Sequence, residues 1–143
     1  MNSHYSPILH GCMNNRRGRA EFKNFLIILD SGCISTIVMR RLIGKLHPEK
    51  DAVMQWHTQA RNITTNLKVK VDFTLPAISA TNVVTWKCHM DESSKGINDM
   101  ILGRYLLLEL GINISFPEHV IKADDGTLKG STTTMVDFGT YIF

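Results

Sequence analysis

Phe25-Leu26-Ile27-Ile28-Leu29-Asp30-Ser31-Gly32 decides how the rest of this chain is read. An unbroken apolar run closed by Asp-Ser-Gly has the form of a buried strand that stops at a turn. The turn sets a carboxylate, Asp30, at the mouth of that strand. Ser31 beside it carries a hydroxyl able to donate a hydrogen bond, and Gly32 lets another stretch of backbone come close. Alone, the tripeptide is also ordinary turn chemistry. Its meaning rests on its surroundings.

Working outward, residues 8–13 are predicted to pair with this strand as a hairpin turning over residues 14–18. Downstream, Ile37, Val38, Leu42, Ile43 and Leu46 suit a short helix or a twisted strand that Pro48 ends. Leu67, Val69, Val71, Phe73 and Leu75 alternate strictly with Lys68, Lys70, Asp72 and Thr74, the pattern of a half-buried antiparallel strand. A second run, residues 52–56, precedes it, so the polar stretch 57–66 is expected to be the tip of a long hairpin. Pro76 closes the strand, residues 83–90 give another, and 91–96 make a polar turn. Met100-Ile101-Leu102-Gly103 repeats the theme of an apolar run ending in Gly. Residues 104–110 are strong helix formers and stop at Gly111. Residues 112–116 and 119–122 look like a final hairpin turning at Pro117-Glu118. After Ala123 periodicity is lost and the chain reads as linker. The order is that of an all-β domain with one short helix late in the chain.

Bulk properties narrow the function. The chain has 143 residues, 43% hydrophobic and 20% charged, enough for one core and too little for two full lobes. Its net charge of +3 is mild and only Arg16, Arg17 and Arg19 cluster, the pattern of a solvated turn more than of a phosphate-binding patch. A nucleic-acid-binding barrel needs a basic face with exposed aromatics, yet Phe25, Phe73 and Trp86 sit in core-like patterns. Cys12, Cys33 and Cys88 form no Cys-x-x-Cys pair, which argues against zinc knuckles and thioredoxin chemistry. Cys33 reads as a packing residue. The first residues lack the basic and apolar regions of a signal peptide, and no apolar run reaches the length of a membrane span. The expectation is a reducing, cytoplasmic setting, without membrane, metal or cofactor. Asn62-Ile-Thr and Asn113-Ile-Ser match glycosylation acceptors and carry no weight there.

Four blocks together resemble the retropepsin family, specifically the proteases of gypsy-type LTR retrotransposon polyproteins. Phe25-Leu-Ile-Ile-Leu-Asp-Ser-Gly-Cys is similar to the active-site strand and loop. Trp56-His-Thr-Gln-Ala-Arg-Asn-Ile-Thr-Thr is similar to the flap, and residues 68–76 to its return strand. Asp99-Met-Ile-Leu-Gly-Arg-Tyr-Leu-Leu-Leu-Glu-Leu-Gly-Ile is similar to the signature strand, Gly-Arg turn and helix. The resemblance implies a protease domain over 8–123, with 1–7 an N-terminal extension and 124–143 a C-terminal linker. It implies a closed β-barrel subunit with a flap hairpin and a short C-terminal helix.

The resemblance also implies chemistry. Asp30 is the catalytic carboxylate, supported by Ser31 and Gly32. Thr58, Gln59, Ala60, Arg61 and Asn62 form the flap over substrate, and Gly103 with Arg104 makes the structural turn beside the active site. Two aspartates share one proton around a water, one acting as base and the other as acid. The chain has a single Asp-[Ser/Thr]-Gly, so the second carboxylate is expected from another copy across a two-fold axis. The implied partners are a second copy and a peptide or polyprotein, in the cytoplasm or in virus-like particles within it. An inactive protease-like dimerisation or binding module is the alternative.

Three departures from the family's pattern bear on efficiency more than on fold. Ile34 stands where small or polar residues are usual, so a contact to substrate or Arg104 is expected to be lost. Arg61 sits near the flap tip where Gly is favoured, and a left-handed backbone there costs a non-glycine residue about 1 kcal/mol. Tyr105 replaces an acidic or amide residue and is expected to weaken helix capping.

Overall fold

A computed structural model of the chain describes residues 3–14, 22–59, 61–93, 95–96, 98–124 and 133–142. The apolar run forms β3 (Phe22–Asp30), antiparallel to β2 (Ile8–Asn14), with Ile8 opposite Ile28 and Asn14 opposite Phe22. Most of the turn expected over 14–18 lies outside the described residues, as do Arg16, Arg17 and Arg19. On its other side β3 runs parallel to β8 (Met100–Gly103), so the two apolar runs end together, with Asp30 opposite Gly103. β4 (Ile37–Met39) follows the Asp30 loop, pairs antiparallel with β8 and parallel with β7 (Ser79–Asp91). β4 runs straight into α1 (Arg40–Ile43), so this segment is strand and helix in succession.

The alternating segment is β6 (Asn62–Leu75), antiparallel to both β7 and β5 (Glu49–His57). Val69, Val71, Phe73 and Leu75 are buried and Lys70 exposed, as the period of two requires. The sheet runs β2-β3-β8-β4-β7-β6-β5, and a further pairing of β2 with β6 closes it on itself. Every strand of this sheet but β5 therefore lies in a closed ring, and β5 projects with the start of β6 as a hairpin.

The ring is filled by Leu9, Phe25, Ile27, Leu29, Val71, Phe73, Met90 and Leu102 among others. Phe25 meets Phe73 edge to face, with ring centroids 5.9 Å apart. Ile27 and Ile28 are both fully buried although they point to opposite faces of β3. Each contributes about 1.5–3 kcal/mol of burial, which is why β3 is an apolar run without alternation. Ile28 packs with Ile8 and Leu26 in a separate cluster on the outer face.

α2 (Arg104–Glu109) follows β8 and ends at Gly111 with φ +66°. After it β9 (Ile112–Ser115) and β10 (Val120–Asp124) form the expected antiparallel hairpin. The structure departs from expectation at both chain ends. Within 124–143, read as linker, β11 (Thr133–Asp137) adds to β10, and β12 (Gly139–Ile142) pairs antiparallel with β1 (Ser3–Ser6). Neither end carries a long apolar pattern, because these strands are stabilised by distant partners: Gly139 lies against Ile8, and Leu29 N donates to Pro7 O at 2.8 Å. α1 adds a second short helix to the one expected late in the chain, within the segment read as a short helix or a twisted strand. No helix among the described residues is long and apolar enough to cross a membrane.

Candidate active site

Asp30 ends β3 and is 8% exposed. Its Oδ1 accepts a hydrogen bond from Gly32 N at 3.0 Å and its Oδ2 one from Gln59 N at 2.8 Å. Amide donors on both oxygens offset part of the cost of taking a carboxylate out of water. Ser31 and Gly32 are exposed beside it.

The loop that carries Asp30 is clamped by the end of β8. A Cβ built on Gly103 would lie 2.2 Å from Ser35 O and 2.8 Å from Cys33 O, so the loop backbone crosses where any side chain would stand. Gly103 N donates to Thr36 Oγ1 at 3.1 Å, and the next two amides of the chain donate onward: Arg104 N to Cys33 O at 2.8 Å, Tyr105 N to Ile34 O at 3.2 Å. This corrects the expectation about Tyr105. α2 has no side-chain cap, yet its first amides are satisfied by carbonyls of the Asp30 loop, so a polar residue at 105 is not needed for capping. The Ile34 departure is similar: its carbonyl holds Tyr105 and its neighbour Cys33 holds Arg104, while the Ile34 side chain is exposed.

The hairpin of β5 and β6 folds over this loop. His57 opposes Asn62, and the turn is tied by Thr58 Oγ1 donating to Arg61 O at 2.7 Å and accepting from Arg61 N at 3.1 Å. The tip is therefore 58–61, tighter than the 57–66 expected, because β5 and β6 keep pairing to the end. Thr58, Gln59, Arg61 and Asn62 are all at or beside the tip; Ala60 lies outside the described residues. Among the described residues of the tip, Gln59 is the one whose backbone reaches Asp30. Below the tip, Ile63 is buried with Cys33, Ile37, Met39 and Ile101, and Trp56 packs on the same cluster. The hairpin is seated on the loop by this small second core.

Arg61 does not carry the strain expected of it. Among the described residues the non-glycine residue with positive φ is His119, at +54°. The Arg61 side chain instead turns down beside the hairpin, with Nη2 2.8 Å from Asp91 Oδ2 and donating to Lys95 O at 2.6 Å. Sequence reading missed Asp91 and Thr36, since neither belongs to a motif and both act through residues far along the chain. Asp99, which the sequence marks only as the first residue of the strand block, accepts from Leu26 N at 3.0 Å and pairs with Arg41 at 2.8 Å, joining β3 to α1 beside β8.

Burial pushes the Cys33 thiol up, a backbone hydrogen bond at Ser35 works against this, and the charge of Asp30 adds to the rise. A thiol so held is a poor nucleophile. Burial also holds His89 below the ordinary imidazole value of 6.5, against the attraction of Asp51, with Lys68 adding to the depression. The His89 ring lies 4.6 Å from that of Trp56 at the root of the hairpin. Because its pKa is lowered on folding, the stability His89 contributes is present above 6.5 and is lost as the pH falls through its folded value. Trp56 emission, followed in a Trp86→Phe background, should titrate with a midpoint below 6.5. A midpoint above that value would contradict the burial argument.

No protein-family model and no curated protein matches the chain. Among solved structures it is similar to one described as "Crystal structure of retroviral protease-like domain of Ddi1 from Leishmania major", with a TM-score of 0.59 over 95% of each chain and 12% identity. The likeness shows the fold, which is that of a retroviral-protease-like domain.

Proposed function

We propose that this chain is one subunit of an aspartic endopeptidase, and that Asp30 with Asp30 of a second copy activates a water between them to cleave peptide bonds. The observation that carries this reading is Asp30 itself. Its carboxylate is buried at the joined ends of two parallel strands, held by amides and roofed by a hairpin. Two such carboxylates brought face to face cannot both ionise, so they share a proton. The ionised one draws a proton from the water, and the protonated one donates to the scissile carbonyl as the tetrahedral species forms. The hairpin would supply backbone partners for an extended peptide, adding main-chain affinity to side-chain selectivity. The polyprotein of a gypsy-type retrotransposon is the substrate proposed, in the cytoplasm or virus-like particles, from the resemblance of the four sequence blocks.

A peptide-library digest at mildly acidic pH, with and without a statine-containing peptide that mimics the tetrahedral species, tests the reading. Cleavage blocked by the mimic supports it; cleavage indifferent to the mimic counts against it. Since one chain supplies one such aspartate, specific activity should fall on dilution below the dimer dissociation constant. Full turnover from a species that sediments as a monomer would refute a shared site.

A second reading, a non-catalytic protease-like module, is favoured by one contact. Gln59 N occupies Asp30 Oδ2, where a water or second carboxylate would have to come. Under that reading the chain self-associates or binds peptide and never cleaves.

A further inference from the structure

The geometry points to Arg61 as a latch that holds the hairpin tip shut on Asp30, so that the single subunit blocks its own site. As regulation of catalysis this rests on the protease reading above; as a property of the hairpin it does not.

The socket for Arg61 is built from parts of the chain remote from the hairpin. Asp91, at the end of β7, has a side chain only 4% exposed. Its Oδ1 accepts from Ser93 N at 3.0 Å and Ser93 Oγ at 2.8 Å. Its Oδ2 has no aligned hydrogen-bond donor, and its charge is met by Arg61 Nη2 at 2.8 Å as an ion pair. The same guanidinium nitrogen donates to Lys95 O at 2.6 Å and lies 3.2 Å from Met39 Sδ. Gly96, at φ +87°, closes the socket: a Cβ built there would lie 3.7 Å from Arg61 Nε and 3.4 Å from Asn98 Oδ1. Asn98 is 1% exposed, and neither polar atom of its side chain has a partner among the described residues. The place is polar, nearly closed and negatively charged, and Arg61 is the cation it holds.

Two attachments then fix the tip. Gln59 N sits on Asp30 Oδ2, and Arg61 two residues on sits on Asp91. Lifting the tip means leaving Asp91 as a buried, unpaired carboxylate, which costs far more than parting an exposed ion pair. An ordinary hairpin tip is tied down by its turn alone and frays. Here the closed tip covers the oxygen that a water, a substrate or a second carboxylate needs, and the Arg61–Asp91 pair has to break before the site can be used.

Amide hydrogen exchange on the 143-residue chain reads the latch directly, whether or not the protein cleaves anything. Arg61→Ala should speed exchange of the Gln59 amide tenfold or more, with the rise confined to the hairpin tip, and Arg61→Lys should restore part of the protection. Should Arg61→Ala fold poorly with Asp91 unpaired, the Arg61→Ala/Asp91→Asn double variant removes the buried charge and should show the same local rise. Unchanged Gln59 exchange in the folded variant overturns the latch, as does a rise spread evenly over β2, β3 and β8. Fast tip exchange with no cleavage by any form of the protein supports the latch and counts against the protease reading.

Discussion

Asp30→Asn should lower kcat/KM by about a thousandfold or more, since general acid–base groups contribute roughly 10²–10⁴ each and the exchange removes both copies from a shared site. The substitution is close to isosteric. An Asn oxygen can still accept from Gly32 N, and an Asn leaves no charge in a position that is 8% exposed. Its Nδ2 would face the Gln59 N–H as a second donor and so release the hairpin tip without disturbing the core. Folding should therefore survive, and circular dichroism and the melting temperature should stay near those of the wild type. Activity lost together with the fold would say nothing about chemistry. The informative outcome is a folded, dimeric and inactive protein. A folded Asp30→Asn protein that cleaves at the wild-type rate would remove Asp30 from the mechanism.

Gly103→Ala should be the most damaging glycine-to-alanine change among the described residues. Its Cβ would lie 2.2 Å from Ser35 O and 2.5 Å from Ser35 C, both backbone atoms of a loop tied at Thr36, Cys33 and Ile34. A flexible side chain could swing away; a backbone pinned by three hydrogen bonds cannot. The loop must separate from β8, taking Asp30 with it. Overpacking a tight site commonly costs about 1–3 kcal/mol, and losing the attached hydrogen bonds should carry this one to the upper end or beyond. Chemical denaturation checks it: a drop of about 3 kcal/mol or more is expected, whereas Gly44→Ala, with nothing within 4 Å of its Cβ, should cost only the backbone strain at its φ of +54°, about 1–2 kcal/mol. Wild-type stability for Gly103→Ala would mean that the crossing of loop and strand is looser than these distances.

The parts of the fold that were legible in the sequence are those whose partners impose a local pattern. β6 faces core on one side and solvent on the other, so its residues alternate. β3 and β8 are covered on both sides, so theirs do not, and the residues that end them, Asp30 and Gly103, stand out against the apolar runs. What was not legible depends on distant pairing. β1 and β12 hold each other across nearly the whole chain, and their residues carry no periodic signal of it. The hairpin tip shows the same limit in reverse. Arg61 looked like a strained intruder at a glycine position, when its reason is Asp91, which sequence separates from it by a whole strand pair. Tyr105 was misread for a like reason: helix capping by backbone carbonyls of another loop leaves no mark on the capped residue.

The pH dependence of kcat/KM for the wild-type chain tests the central claim, that Asp30 works as half of a proton-sharing pair. The expected profile is a bell with its maximum at mildly acidic pH. Activity should fall on the acid side as the pair takes up its second proton, and on the basic side as the shared proton is lost. Measuring with the enzyme well above its dimer dissociation constant at every pH keeps dissociation from imitating either limb. A rate that stays flat from about pH 4 to pH 8 is not the behaviour of two carboxylates holding one proton between them, and would contradict it.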